Sequence, residues 1–426
     1  MSKRRGLVLF ALFAALFLVM NRASYRGYFQ ADDLETLSWA PRRPAADYLA
    51  AVFSPRFQTD NFRPVPHFFY HALEPVAGLD FPVYLAILQA IHLLNVWLLW
   101  LLARELGASK LPAAAACLFF GLHMALFDDF WKPMYVFDVL CGTFSLASLL
   151  LYASARWWWS FAAFWLAYKS KELAVMLPVA LAAYELWYGG RRWKRLLPFL
   201  AVSLSFGAQG ILFNPNRDNN YTLRFTAAAL AKTGQFYAQR VFLVPYLGFL
   251  APLAVLVWRR PRVWLGTVVL LVFFFPLLFL PGRLLSAYCY LPFSGLALAL
   301  SGIAEGTPPA ALAAFLVLWA PADLRELRLR RAVTLAHDQR VEIWVEAIRQ
   351  FALQEPVVGT VVYKGRIAGF EPWGVAGTLR YFLHRPDLPV QDADDPGAPE
   401  ILAGPDTALL LWDAGANRLS VKWPGR

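Results

Sequence analysis

Apolar residues in this chain come in long unbroken runs, with no strict alternation and no single helical stripe. The runs cover residues 7–20, 83–103, 111–127, 134–155, 157–168, 173–189, 196–213, 241–258, 263–280, 284–303 and 308–320. A helix needs ~20 apolar residues to cross a bilayer upright, so the pattern predicts about eleven membrane helices. Run 157–168 is short enough to be half of a broken hairpin. Lys3-Arg4-Arg5 precedes the first run and Asn21-Arg22-Ala23-Ser24-Tyr25 follows it. A basic start before an apolar stretch also describes a signal peptide, but no Ala-x-Ala site follows. The segment is read as an uncleaved membrane helix with a cytoplasmic N-terminus.

Three stretches break the pattern. Residues 22–82 form a first connecting loop, polar and proline-rich from residue 25, whose length points to function. Residues 214–240 form another, with a turn at 214–220 and an interfacial helix over 223–240 marked by Arg224, Lys232 and Arg240. From residue 322 the composition changes: 324–351 reads as a charged helix, and 356–363, 407–412 and 418–423 read as strands. The expected architecture is therefore an all-α polytopic membrane domain, residues 1–321, followed by a small soluble α/β domain, residues 322–426.

Composition agrees with a membrane protein. The chain has 426 residues, 59% apolar and 16% charged, with 17 tryptophans. Soluble domains carry about a quarter charged residues, so a simple water-soluble enzyme and a disordered chain are both excluded. The net charge of +11 raises the question of nucleic acid. The positive residues argue against it, because they sit in clusters on alternate connections: Arg4-Arg5, Arg104 with Lys110, Arg156, Arg191-Arg192-Trp193-Lys194-Arg195, and Arg259-Arg260-Pro261-Arg262. That is the positive-inside signature. It predicts a multi-pass protein of the plasma (inner) membrane, with the first loop and the C-terminal domain extracytoplasmic. Cys117, Cys141 and Cys289 lie in or beside apolar runs without metal-ligand spacing and read as small core residues.

The polar residues that could carry chemistry fall on the opposite connections. Asp32-Asp33, with Glu35 close by, is either a solvated loop start or a general base with a neighbour that orients the acceptor or holds a cation. Arg63, in the segment Asn61-Phe62-Arg63-Pro64-Val65-Pro66-His67, can hold a phosphate or pair with an acid of its own loop. His67 and His71 have metal-compatible spacing but lack a third ligand nearby. His92 and Asn95 read as bonds to neighbouring helices. Asp128-Asp129 precedes Lys132, and Asp138 follows, with Lys132 or Lys169 as its expected partner. Lys171-Glu172 interrupts two apolar runs. Arg240, Arg283 and the segment Tyr288-Cys289-Tyr290-Leu291-Pro292 complete the set. Acids for a base and cations for a leaving phosphate would then share one membrane face.

The order of these features resembles that of the C-type (GT-C) polytopic glycosyltransferases, over roughly residues 1–303. The series is a basic start, one span, Asp32-Asp33, Phe62-Arg63-Pro64-Val65, Leu93-Leu94-Asn95, Lys171-Glu172 with Leu177-Pro178, and Tyr288-Cys289-Tyr290-Leu291-Pro292. Within that class it is most similar to the transmembrane-and-tetratricopeptide O-mannosyltransferase group and its prokaryotic relatives. The resemblance implies inverting transfer of a sugar from a polyprenyl-phosphate donor to a protein, lipid or cell-envelope glycan acceptor on the extracytoplasmic side. It implies a catalytic aspartate at Asp33 or Asp32, with Asp33 expected to be the closer of the two to the site. It further implies substrate-binding roles for Arg63, Asp128 or Asp129, Lys171, Glu172, Tyr288 and Tyr290; Arg240 and Arg283 join them as candidates for the lipid phosphate, being the cations nearest the outer ends of late spans. Two departures stand out: Ser286-Ala287 replaces the family's Glu-Arg before Tyr-x-Tyr-x-Pro, and residues 322–426 replace the tetratricopeptide repeats.

No cofactor is expected, since Arg and Lys can neutralise the phosphate, although a divalent cation is compatible with the acids. The competing function classes are a polytopic transporter or flippase and a non-catalytic envelope-assembly protein. Transporters tend to show inverted repeats and mid-membrane broken helices. The sequence shows no internal repeat, and its acids lie at run ends, which favours the enzyme.

Overall fold

The computed structural model describes residues 3–56, 62–213, 218–402, 404 and 406–424. The expected Asn61 and most of the expected turn at 214–220 lie outside them. Of the described residues, 73% are helical. Its first helix, α1 (Lys3–Asn21), leads into the 22–82 loop, which folds as α2 (Ala31–Trp39), α3 (Ala45–Phe53) and α4 (Pro64–Ala77). Then follow α5 (Phe81–Glu105), α6 (Lys110–Leu122), the short α7 (Phe127–Trp131), α8 (Val136–Ala153), α9 (Trp157–Ser170), α10 (Leu177–Trp187) and α11 (Leu197–Phe213). After α12 (Ala227–Phe242) and α13 (Ala254–Val257) come α14 (Pro261–Phe274), α15 (Tyr290–Ala304) and α16 (Pro309–Gln354).

Among the described residues six helices are long and apolar enough to cross a membrane: Val8–Arg26, Phe81–Glu105, Lys110–Trp131, Pro133–Ala153, Pro261–Phe279 and Ser286–Ala304. The other expected spans are helical but fall short of that test: α9, α10 and α11 have 14, 11 and 17 residues. The expected straight span over 241–258 is broken. Leu243 and Tyr246 have φ of 59° and 62°, Pro245 lies between them, and α12 meets Leu247–Val257 at 85°. Proline and left-handed residues cannot continue a helix, which accounts for the break. The tightest helix pair is α14 with α15. A Cβ on Gly266 would meet Gly295 O at 2.5 Å, the close backbone approach that small residues permit between membrane helices.

The last apolar run does not end near residue 320. α16 continues through Pro321 for 46 residues, ~70 Å at 1.5 Å per residue, so the expected boundary at 321/322 falls inside one helix. Among its buried positions, Asp323, Leu327, Thr334, Asp338, Val341, Val345, Ile348 and Ala352 recur at steps of three, four or seven residues and face the rest of the chain. Beyond it a four-stranded sheet runs in the order β2 (Val390–Asp392), β1 (Thr360–Lys364), β3 (Thr407–Asp413), β4 (Arg418–Lys422). β1 pairs parallel with β2 and β3, and β4 closes the edge antiparallel to β3. The parallel β1–β2 connection carries α17 (Pro372–Phe382), and the short α18 (Ala398–Leu402) precedes β3. Three of the four strands match expectation; β2 is three residues long and gives no run to detect.

Candidate active site

The 22–82 loop is pinned by acids of the following segments. Asp338 of α16 accepts Tyr28 N at 3.0 Å and Gln30 Nε2 at 2.8 Å. This fixes the entry to α2, whose third residue is Asp33. Asp33 is fully buried. One oxygen accepts Gln30 N at 2.8 Å and the other accepts the Tyr70 hydroxyl at 2.6 Å, so it closes the capping box on Gln30, the N-cap of α2, and bonds α4. Burial pushes its carboxyl up to about 7, against the pull of those two hydrogen bonds. Asp32 turns the other way. Its Oδ1 accepts Trp373 Nε1 of α17 at 2.5 Å, and its charge acts on Arg283. Of the two, the one expected nearer the site, Asp33, is the one with both oxygens taken.

The second acid pair lies on α7. Asp128 binds Lys132 at 3.0 Å and Arg330 of α16 at 2.6 Å. Asp129 is fully buried, and among the described residues neither of its oxygens has a hydrogen-bond partner. Asp138, at the start of α8, pairs with Lys171. The partners expected for it are engaged elsewhere: Lys132 with Asp128, and Lys169 with Ser54 O at 2.7 Å. Arg63 does not pair within its own loop. It makes a bidentate contact with Glu172, Nε to Oε1 at 2.8 Å and Nη2 to Oε2 at 3.0 Å. Burial opposes both charges, but their attraction wins, so Arg63 is raised and Glu172 lowered. Lys171 is raised in the same way: burial opposes its charge, and Asp138 and Tyr288 outweigh burial.

Lys171 Nζ stands 4.3 Å from the Tyr288 ring centre, and the Arg283 guanidinium 4.5 Å from that of Tyr221. Burial works against the Arg283 charge, but Tyr288, Tyr221 and Asp32 hold it protonated. Arg240 lies 3.8 Å from Glu326. The Nε of Arg240 and of Arg283 are both buried without a partner among the described residues. Tyr290 is placed apart from this cluster: its hydroxyl accepts Asn95 Nδ2 at 2.9 Å and sits 2.9 Å from His92 Nδ1. His92 and Asn95 do bond neighbouring helices, through Gly121 O and Val139 O. His67 is neutral: burial and then Arg63 push it down to about 3, and its Nδ1 accepts Arg63 N. Among the described residues no group of three His, Cys, Asp or Glu side chains is arranged to hold a metal ion.

An apolar cavity of about 630 Å³ lies between α6, α13, α15 and α16, lined by Phe119, Phe242, Leu300, Phe315 and Trp319 among others. Phe242 is two residues from Arg240, and the lining residue Ala322 is one turn before Glu326.

Sequence reasoning missed Gln30, Tyr70, Glu326, Arg330, Asp338 and Trp373. A signal for the α16 residues was present: Asp323, Arg330 and Asp338 fall on the same three-and-four spacing as Leu327, Val341, Val345 and Ile348, so polar groups point where the apolar face does. Trp373 shows a weaker one. In Pro372-Trp373-Gly374-Val375-Ala376-Gly377, a first-turn proline precedes two glycines three apart.

No protein-family model matches the sequence, and no curated protein does. Among solved structures the chain is similar to ArnT from Cupriavidus metallidurans in the apo state, with a TM-score of 0.57, 14% identity, and coverage of 97% of this chain and 94% of that one. ArnT is a GT-C glycosyltransferase. The similarity takes in the C-terminal sheet as well as the bundle, and at this identity it shows the fold alone: the chain shares the architecture of that structure.

Proposed function

We propose that the protein is an inverting membrane glycosyltransferase that moves a sugar from a polyprenyl-phosphate donor to a hydroxyl acceptor at the extracytoplasmic face. The reading is supported by a GT-C-like architecture in which the charge of Asp32 acts on Arg283, and by an apolar cavity whose lining residue Phe242 lies two residues from Arg240. The prenyl chain is an apolar ligand for such a cavity. In the reaction the acceptor oxygen attacks the anomeric carbon, its proton passes to Asp32, and the bond to the phosphate oxygen breaks. The phosphate leaves with the electron pair toward Arg283 and Arg240, whose unpartnered Nε–H groups can meet it. Asp33 holds α2 in place, and Asp129 offers acceptor oxygens to sugar hydroxyls. Arg63–Glu172 and Lys171–Asp138 brace the walls, and Tyr288 stacks against Lys171. The extracytoplasmic assignment rests on the arginine clusters at the opposite helix ends.

The transporter reading gains one observation, the 85° break after α12; the position of the acids at helix ends speaks for the enzyme. The test uses purified full-length protein in lipid nanodiscs, radiolabelled decaprenyl-phosphate sugars and an envelope extract as acceptor. Transfer of label from at least one donor is expected. No transfer from any donor, with the lipid carried between leaflets of a vesicle instead, would replace this reading with the transporter.

A further inference from the structure

Trp373 opens α17, in the C-terminal unit, yet its indole N–H reaches Asp32 Oδ1 of the first loop at 2.5 Å. The contact is held rigidly. Gly374 and Gly377 lie so close to α2 that a Cβ would meet Ala31 Cβ and Glu35 Cα, each at 2.5 Å. The far end of α17 is tied by the Tyr381 hydroxyl to Glu74 at 3.0 Å, and by Arg42 to Tyr381 O at 3.3 Å and His384 Nδ1 at 3.2 Å. With its N–H engaged, Trp373 still leaves 47% of its surface exposed. Among the described residues no hydrogen bond reaches the second oxygen of Asp32, so it is free to take a proton. Tryptophan combines one polar handle with a large apolar face, and an open aromatic face beside a carboxylate suits the C–H side of a sugar ring and its hydroxyls.

We propose that the C-terminal α/β unit belongs to the catalytic assembly: Trp373 positions Asp32 and its open ring face forms a wall of the acceptor subsite, for a carbohydrate-like, hydroxyl-bearing acceptor. This rests on the glycosyltransferase reading and adds to it the side from which the acceptor arrives. Arg283 and Arg240, with the cavity, take the donor; Trp373 comes to Asp32 from a different segment.

The test measures transfer by full-length protein, with labelled decaprenyl-phosphate sugars and envelope extract, and separately the Kd for decaprenyl phosphate. Trp373→Phe keeps a ring but loses the N–H. It should lower kcat by about 10-fold, at the weak end of a charge-assisted hydrogen bond, and leave the acceptor KM unchanged. Trp373→Ala should lose kcat similarly and raise the acceptor KM by about 10-fold. Decaprenyl phosphate should bind both variants within about 2-fold of wild type, and Trp373→Phe should cost nothing further in an Asp32→Asn background. An active wild type whose Trp373→Ala variant keeps kcat and KM would overturn this inference alone. So would parallel loss of transfer and decaprenyl phosphate binding, which marks a structural role. A wild type that transfers no sugar overturns it together with the glycosyltransferase reading.

Discussion

Asp32-Asp33 and Asp128-Asp129 look alike in the sequence, and the fold divides each pair in the same way. One member anchors: Asp33 to Gln30 and Tyr70, Asp128 to Lys132 and Arg330. The other is left with spare acceptor capacity: Asp32 with one oxygen held by Trp373, Asp129 with none held. The helix explains the division, since adjacent residues point about 100° apart at 3.6 residues per turn, so only one of two can face a given wall. The pairs differ in exposure. Asp32 is partly open, as a base that meets an incoming hydroxyl must be, while Asp129 is fully enclosed. An enclosed carboxylate without a partner costs stability, which a structural role would not require and a substrate contact would.

The largest effect expected from disturbing this division is on turnover at the free member of the first pair. General-base assistance is worth ~10²–10⁴-fold, so Asp32→Asn should lose transfer on that scale while keeping its melting temperature. Next comes the anchor of the second pair. Arg330→Ala leaves Asp128 with Lys132 alone; breaking a largely buried pair costs about 3 kcal/mol, and thermal unfolding should show the loss directly. Asp129→Asn should act on transfer instead. No partner bond is lost with it among the described residues, so the melting temperature should hold, while transfer falls because a sugar hydroxyl loses an acceptor. A variant that is both less stable and fully active would show Asp129 to be another anchor.

A smaller effect tests Asp33 through pH. Its folded carboxyl lies at about 7, above the ordinary aspartate value of 3.8. Between those values the folded state binds the extra proton, so stability is greatest below about pH 4 and falls as pH rises toward 7, by at most about 1.4 kcal/mol per unit. Thermal unfolding from pH 5 to 7.5 should show this slope, and Asp33→Asn should remove that share of it. Tyr70→Phe takes away a bond that favours the ionised form and should carry the slope to higher pH. The smallest effect is expected at Tyr290. Its hydroxyl is used up by His92 and Asn95, so Tyr290→Phe should leave transfer within about 2-fold of wild type.

Helix positions were readable because apolar runs report burial in lipid or core regardless of tertiary detail. The number of crossings was less so: α10 has 11 residues and the 241–258 run bends at Pro245, and a run alone does not say whether a helix continues. The 22–82 loop looked irregular because α2, with Asp32 and Asp33 in its first turn, carries little apolar signal. Its helicity depends on Asp338, some 300 residues away, and on the close fit of α17. The candidate residues at 32, 63, 128–129, 171–172 and 283 were visible as polar breaks between runs. Their pairing was not, because Arg63–Glu172 and Lys171–Asp138 join segments that only the folded bundle brings together. Nothing in the Asp32-Asp33 dipeptide tells its two acids apart; which face of α2 Asp33 occupies is set by Tyr70 and Gln30.

The most direct test sets Asp32 against its neighbour in one assay. Purified wild type, Asp32→Asn and Asp33→Asn, matched for folded protein by thermal unfolding, would be given the same labelled decaprenyl-phosphate sugar and acceptor extract. The account predicts that Asp32→Asn loses at least ~100-fold in kcat, with decaprenyl phosphate binding intact, while folded Asp33→Asn stays within ~10-fold of wild type. Wild-type turnover by Asp32→Asn, or a loss confined to Asp33→Asn at full stability, would contradict it.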